Sequence, residues 1–213
     1  MIVVLTGAPG AGKGTQADML AEKLGLRKLS TGDALRKHVK EGTDIGKIAG
    51  AIMERGELVP DDVLFKILKA EMDSLKADQI VLLDGYPRNL SQAETLETLK
   101  DRHPVKAAIH LDVDRSALIA RLSGRRVCGS CGATYHVSSN PSKKEGICDK
   151  CGGELTQRKD DKPESVAVRL DVFEKTTRPI LEFYGAKGLY KKVKGEGLPS
   201  EIYERLSKLI SSI

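Results

Sequence analysis

Apolar and polar positions fall into blocks of two lengths along this chain. Short, almost wholly apolar runs occur at Ile2–Leu5, Ile80–Leu83, Ala107–Leu111 and Leu189–Val193. Runs of that length and composition predict strands buried on both faces of a parallel sheet. Arg27–Leu29 is a shorter, more polar candidate. Between these runs, apolar residues recur at helical spacing over 15–24, 34–40, 45–55, 61–75, 90–101, 115–122, 164–184 and 200–210. Strand alternating with helix predicts an α/β fold, a doubly wound parallel five-stranded sheet with helices on both faces. Pro179 lies inside the long penultimate helix and predicts a bend there.

Two stretches break the alternation. Residues 30–59 carry two helical patterns with no strand between them, and residues 125–161 carry turn formers and all four cysteines. The expected organisation is a core of 1–29, 60–124 and 162–213, a small helical insertion at 30–59, and a flap at 125–161.

The first strand runs into Gly7-Ala-Pro-Gly-Ala-Gly-Lys-Gly-Thr15, with a helix opening near Gly12. Strand, glycine-rich loop and helix in this order form a phosphate cradle. Successive backbone N–H groups and the helix N-terminus point at an anion, and Lys13 adds a mobile charge. The expected ligand is a nucleoside triphosphate. The common form of this loop has Ser or Thr directly after the lysine, where its hydroxyl ligates Mg²⁺. Here Gly14 fills that place and Thr15 follows. A magnesium ion would then keep more of its water. The strand ending at Leu83 delivers Asp84, a carboxylate suited to organising Mg²⁺, and Gly85-Tyr-Pro-Arg88 puts an arginine at the same edge of the sheet.

Cys128-Gly-Ser-Cys131 and Cys148-Asp-Lys-Cys151 are two Cys-x-x-Cys knuckles sixteen residues apart. That spacing suits a four-thiolate metal site, and four sulfur ligands leave no open position, so the metal is expected to be structural. Two disulfides are the competing reading. Zinc is the usual occupant, although thiolates also accept iron and cobalt.

Composition narrows the rest. A length of 213 residues suits one α/β core with insertions. No run approaches the ~20 apolar residues that span a membrane. The first apolar run lacks a basic leader and reads as a core strand, which with the reduced-looking cysteines predicts a cytoplasmic protein. A net charge of +5 with three Phe and no Trp argues against nucleic acid as a partner. The histidines (His38, His103, His110, His136) are scattered, and no acyl-transfer triad is evident. Arginines instead stand at segment junctions: Arg36, Arg88, Arg121, Arg125, Arg158 and Arg169. Guanidinium forks suit phosphate.

The loop 7–15, Ser30-Thr-Gly-Asp-Ala-Leu-Arg36, Gly56-Glu-Leu-Val-Pro60, Asp84-Gly-Tyr-Pro-Arg88, Gly124-Arg-Arg126 and Arg158-Lys-Asp-Asp161 together resemble adenylate kinase, across nearly the whole chain. The cysteines make it similar to the long-lid form that carries a structural metal. The resemblance implies reversible phosphoryl transfer from Mg·ATP to AMP giving two ADP, a monomer, and a role in adenylate balance and purine salvage.

It further implies that Gly10, Ala11, Gly12, Lys13, Gly14 and Thr15 hold the ATP phosphates. Arg121 and Arg125 would meet ATP, with Thr134, Tyr135 and Gly197 near its adenine. Thr31, Arg36, the Glu57-Leu58-Val59 backbone, Gly85, Tyr86, Pro87, Arg88 and Gln92 would form the AMP site, Thr31 and Gln92 reading the base. Arg158 and Arg169 would bridge toward AMP and the transferring group. Lys13, Asp84, Arg88, Arg125, Arg158 and Arg169 are the expected catalytic set. The chain departs from the family at Tyr86, often Phe, and at Lys194, usually acidic. Asp161 has a second reading, as the first residue of an Asp161-x-x-Glu164 helix capping box. Two rivals remain: a kinase for another nucleoside monophosphate, and a regulatory ATP-binding protein whose cysteine ribbon grips nucleic acid.

Overall fold

The computed structural model describes residues 1–73, 75 and 79–213. Five parallel strands form the main sheet: β1 (Ile2–Thr6), β2 (Arg27–Ser30), β3 (Val81–Asp84), β4 (Val105–Asp112) and, near the C-terminus, β8 (Tyr190–Lys194), in the order β2-β3-β1-β4-β8. The strand faces alternate as the pleat requires. Val3, Leu5, Leu82, Ile109 and Leu111 join one core cluster, whereas Ile2, Val4, Val81, Leu83 and Ala108 join the other. Helices α1 (Lys13–Leu24), α6 (Arg115–Ser123) and α9 (Pro199–Ile210) cover the first face. Helices α4 (Asp61–Asp73), α5 (Leu90–Glu97) and α8 (Pro179–Ala186) cover the second. Burial on both faces explains why these strands read as unbroken apolar runs.

Several boundaries move. The third strand begins at Val81 rather than Ile80, and α5 stops at Glu97 rather than Asp101. The helix expected over 61–75 ends at Asp73, and Ser74 lies outside the described residues. The long penultimate helix is three pieces: α7 (Pro163–Val172), a π-helical turn Phe173–Thr177, and α8. Pro179 is the first residue of α8, so the interruption is carried by the wide turn before it.

Both departures from alternation carry secondary structure of their own. Residues Thr31–Glu41 (α2) and Asp44–Glu54 (α3) form a helical pair, each with a hydroxyl at its N-cap: Ser30 accepts from Asp33 N–H and Thr43 from Gly46 N–H. The cysteine-bearing stretch folds as an antiparallel sheet of β5 (Arg125–Cys128), β6 (Thr134–His136) and β7 (Leu155–Thr156), ordered β6-β5-β7. These strands were not expected; at two to four residues they are too short to show a period. Among the described residues no helix is long and apolar enough to cross a membrane.

Candidate functional site

The C-terminal edge of the main sheet places two loops side by side, because β1 and β3 pair in register with Leu5 opposite Asp84. The loop after β1 folds tightly at its glycines. Gly10 has φ +85°, and a Cβ there would stand 2.9 Å from the Leu118 carbonyl oxygen, so only glycine fits. Helix α1 then starts with no side-chain cap and no acidic residue in its first turn. Its first N–H groups stay available to an anion, and the helix dipole favours one. The Lys13 ammonium donates back to the carbonyls of Gly7 (2.6 Å) and Ala8 (3.0 Å). Burial, reinforced by Arg88, Arg169 and Arg125, pulls its pKa down to about 8, while Asp84 opposes the fall. Gly14 and Asp84 are neighbours: a Cβ on Gly14 would sit 3.7 Å from Asp84 Oδ2.

Arg88, Arg125, Arg158 and Arg169 crowd the same space. Burial, and after it Arg169, lowers Arg88 to about 10. Burial, then Arg36 and Arg125, lowers Arg158 to about 9. Arg169 is lowered by burial too, though Asp160 opposes it. The site gathers positive charge that its own carboxylates, Asp84 and Asp160 among them, only partly offset. An added polyanion relieves that repulsion. The cavity between loop, insertion and flap is about 1540 Å³. A second, of about 80 Å³, lies behind the loop against Lys13, Arg88, Arg169 and Thr177.

Asp161 supplies the anchor that this cage needs. Its side chain is fully buried, and it accepts a two-pronged bond from Arg125 and a further bond from Arg169 Nη1 (3.0 Å). The capping-box reading is therefore wrong. Lys162 is the residue before α7, Pro163 opens the helix, and no side chain caps it. Asp160 shares the task, accepting from Arg169 through its carbonyl and its carboxylate.

The other expected residues divide into two groups. Gly10 to Thr15, Arg36, Gly85, Arg88, Arg121, Arg125, Thr134, Arg158, Arg169 and Gly197 line the large cavity, and Leu58 and Pro87 line the small one. Others are turned to internal tasks. Thr31 donates to the Gly85 carbonyl (2.8 Å), which also accepts from Arg88 Nε (2.8 Å). Gln92 is buried; its Oε1 accepts from Arg88 N–H (2.7 Å) and its Nε2 donates to Asp61 (2.7 Å). Tyr86 and Val59 are buried in the second core cluster. Arg121 donates to the Gly195 carbonyl, and Lys194 pairs with Glu196. Tyr135 reaches the cavity wall, but its hydroxyl points inward, accepting from Asp149 N–H (2.8 Å) and touching Cys148 Sγ (3.5 Å). Asp61 and Thr177 had no sequence signal of their own, since each acts across the fold.

The four sulfurs all lie within 4.8 Å of one another. The Cys128–Cys151 and Cys131–Cys148 separations of 3.4 and 3.6 Å are far longer than the ~2.05 Å of a disulfide. They approach the ~3.8 Å edge of a tetrahedron with 2.3 Å metal–sulfur bonds. Each knuckle closes by a backbone bond, Gly132 N–H to Cys128 O and Gly152 N–H to Cys148 O. Burial raises the Cys148 thiol, but hydrogen bonds from Tyr135 and from the Lys150 and Cys151 N–H groups outweigh it and hold the pKa near 6. The donor set fits a thiolate-bound metal.

A family model described as adenylate kinase matches residues 5–189. The chain belongs to the adenylate kinase family. It is 46% identical over 212 residues to the adenylate kinase of Caldanaerobacter subterraneus subsp. tengcongensis, covering 99% of this chain and 96% of that one. The Thermodesulfovibrio yellowstonii adenylate kinase is 47% identical, with 99% of each chain covered. That of Geobacillus sp. WCH70 is 45% identical over the full length of both. Membership in the adenylate kinases gives the reaction: reversible phosphoryl transfer between ATP and AMP, yielding two ADP.

Proposed function

We propose that the transfer is carried out between the loop after β1 and the arginine cage, with ATP on the flap side and AMP on the insertion side. The observation that carries this reading is the convergence of Lys13, Arg88, Arg125, Arg158 and Arg169 around one cavity bounded by both appendages of the core. The N–H groups of Gly10 to Thr15 and the Lys13 ammonium would hold the β- and γ-phosphates of ATP. Arg36 and Arg88 would hold the AMP phosphate, and Arg125, Arg158 and Arg169 the transferring group. Phosphoryl transfer needs alignment and charge neutralisation more than proton transfer, so a cage without a general base suffices. Arg121, Thr134, Tyr135 and Gly197 would border the ATP base. Thr31, the Glu57–Val59 backbone, Gly85 to Arg88 and Gln92 would border AMP, Gln92 through the donor and acceptor positions that Asp61 and Arg88 leave free.

Magnesium would travel with ATP and neutralise phosphate charge, with Asp84 beside Gly14 positioned to bind its water. Zinc in Cys128, Cys131, Cys148 and Cys151 would brace the flap. Closure of 30–59 over AMP and of 125–161 over ATP excludes water that would otherwise hydrolyse ATP. We place the chain in the cytoplasm as a monomer; size-exclusion chromatography with light scattering checks the latter.

A coupled assay of ATP with AMP, UMP, CMP and GMP tests the reading. Turnover with AMP at least ten-fold above the others is expected; equal turnover would refute the adenine assignment of Thr31 and Gln92. Elemental analysis of anaerobically purified protein should return one zinc per chain.

A further inference from the structure

Arg88 is held by its main chain as well as by its guanidinium, and one of those holds comes from a distant element. Its N–H is taken by Gln92 Oε1 and its Nε by the Gly85 carbonyl, both local. Its carbonyl accepts from Thr177 Oγ1 at 2.7 Å, from 89 residues away. Thr177 is buried, and it ends the π-helical turn between α7 and α8.

The wide turn is what lets Thr177 reach. Arg169 stands on α7 eight residues earlier. In an uninterrupted α-helix, eight residues carry a side chain about 80° past its starting face, and position seven faces that side instead. A turn closing over five residues sets the phase back by about one residue. Here Arg178 N–H donates to the Phe173 carbonyl (2.8 Å), the five-residue closure. Arg169, Val172, Phe173 and Thr177 consequently line one face of the small cavity, together with Lys13 and Arg88. Thr176, which a regular helix would present there, is turned away and bonds its hydroxyl to the Val172 carbonyl (2.7 Å).

We infer that Thr177 is a positioning residue for Arg88, and that the π-helical turn exists to bring its hydroxyl into phase with Arg169. One helical run then sets two arginines at once, Arg169 through its own side chain and Arg88 through the Thr177–carbonyl bond. This rests on the proposed role of Arg88 at the phosphates. The Thr177 hydroxyl touches no substrate in this scheme; it fixes where the Arg88 guanidinium emerges. Loss of that bond takes a partner from a part-buried carbonyl and frees the turn that carries Arg88.

The test is a kinetic series on the full chain: Thr177→Val, which removes only the hydroxyl, Thr177→Ser, which keeps it, and Arg88→Lys. We expect Thr177→Val to lower kcat/KM for AMP roughly ten-fold, the size of one lost buried hydrogen bond, with the KM for ATP within about two-fold of the parent. Thr177→Ser should recover most of the loss. In the Arg88→Lys background, Thr177→Val should cost less than about two-fold more, because the two act as a unit. Parent-level kinetics in Thr177→Val, or the same ten-fold loss on top of Arg88→Lys, would overturn the proposal. Full activity of Arg88→Lys alone would overturn the underlying role of Arg88, so the two failures are separable. If Thr177→Val melts below the assay temperature, Thr177→Ala is expected to show the same loss, and parent-level kinetics there would count equally against the proposal.

Discussion

The core and the flap are held together by opposite means. The core has two apolar clusters, each built from some twenty buried side chains packed on a five-stranded sheet. The flap has Cys128, Tyr135, Cys148 and Leu155, and two of those four are candidate metal ligands. Burial of this size stabilises the core without help, whereas a cluster of four buried side chains cannot offset the entropy of ordering thirty-seven residues. The comparison teaches that the two regions are made rigid by different means yet share one cage: Arg88 and Arg169 stand on the core, Arg125 and Arg158 on the flap, and Asp161 joins Arg125 to Arg169.

The largest expected effect falls on chemistry alone. Lys13→Met should lower kcat by about three orders of magnitude, through lost transition-state charge stabilisation, while the melting temperature stays within a few degrees. Near-parent turnover would break the assignment of the loop. Asp161 sits where the two regions meet, and Asp161→Ala tests whether that joint matters to both. Arg125 loses its carboxylate partner and Arg169 keeps only Asp160, a cost of about 3–5 kcal/mol. Denaturant midpoint and turnover should fall together; an unchanged midpoint would mean that the joint bears no load.

The next effect belongs to the flap. A strong chelator under reducing conditions should expose residues 125–161 to proteolysis and hydrogen exchange while the sheet amides of β1 and β4 stay protected. Uniform loss of protection would erase the distinction between the regions. The smallest effect is a pH dependence in the loop. Lys13 is lowered to about 8 in the free protein, and bound phosphate restores its preference for the proton. ATP affinity should therefore be constant below about pH 8 and fall by up to ten-fold per pH unit above it, with proton uptake on binding. Calorimetry at pH 8.5 in buffers of different ionisation enthalpy measures that uptake, and Lys13→Arg should abolish it.

What the sequence revealed follows the same division. The loop 7–15, the knuckles and the buried strands were legible because each is a local pattern with a local cause: backbone freedom at Gly10, ligand spacing at Cys128–Cys131, two-sided burial at Val81–Leu83. Asp161 carried two readings because its local pattern, three residues before Glu164, competes with a tertiary pairing, and the pairing wins. The wide turn at Phe173–Thr177 left no trace beyond Pro179, since its partners, the first core cluster for Phe173 and the Arg88 carbonyl for Thr177, are distant in sequence. The inward hydroxyl of Tyr135 was equally hidden, because it depends on where Cys148 returns.

Two polar ties join the flap to the helical insertion: Lys40 Nζ to the Gly129 carbonyl, 3.0 Å, and Lys159 to Glu54, 3.4 Å. Both are solvent-exposed, and such contacts are worth under about 1 kcal/mol each. Ties that weak cannot hold the two arms together by themselves. On the proposed scheme nucleotides would be the clasp, and the arms would have little reason to stay together once they leave.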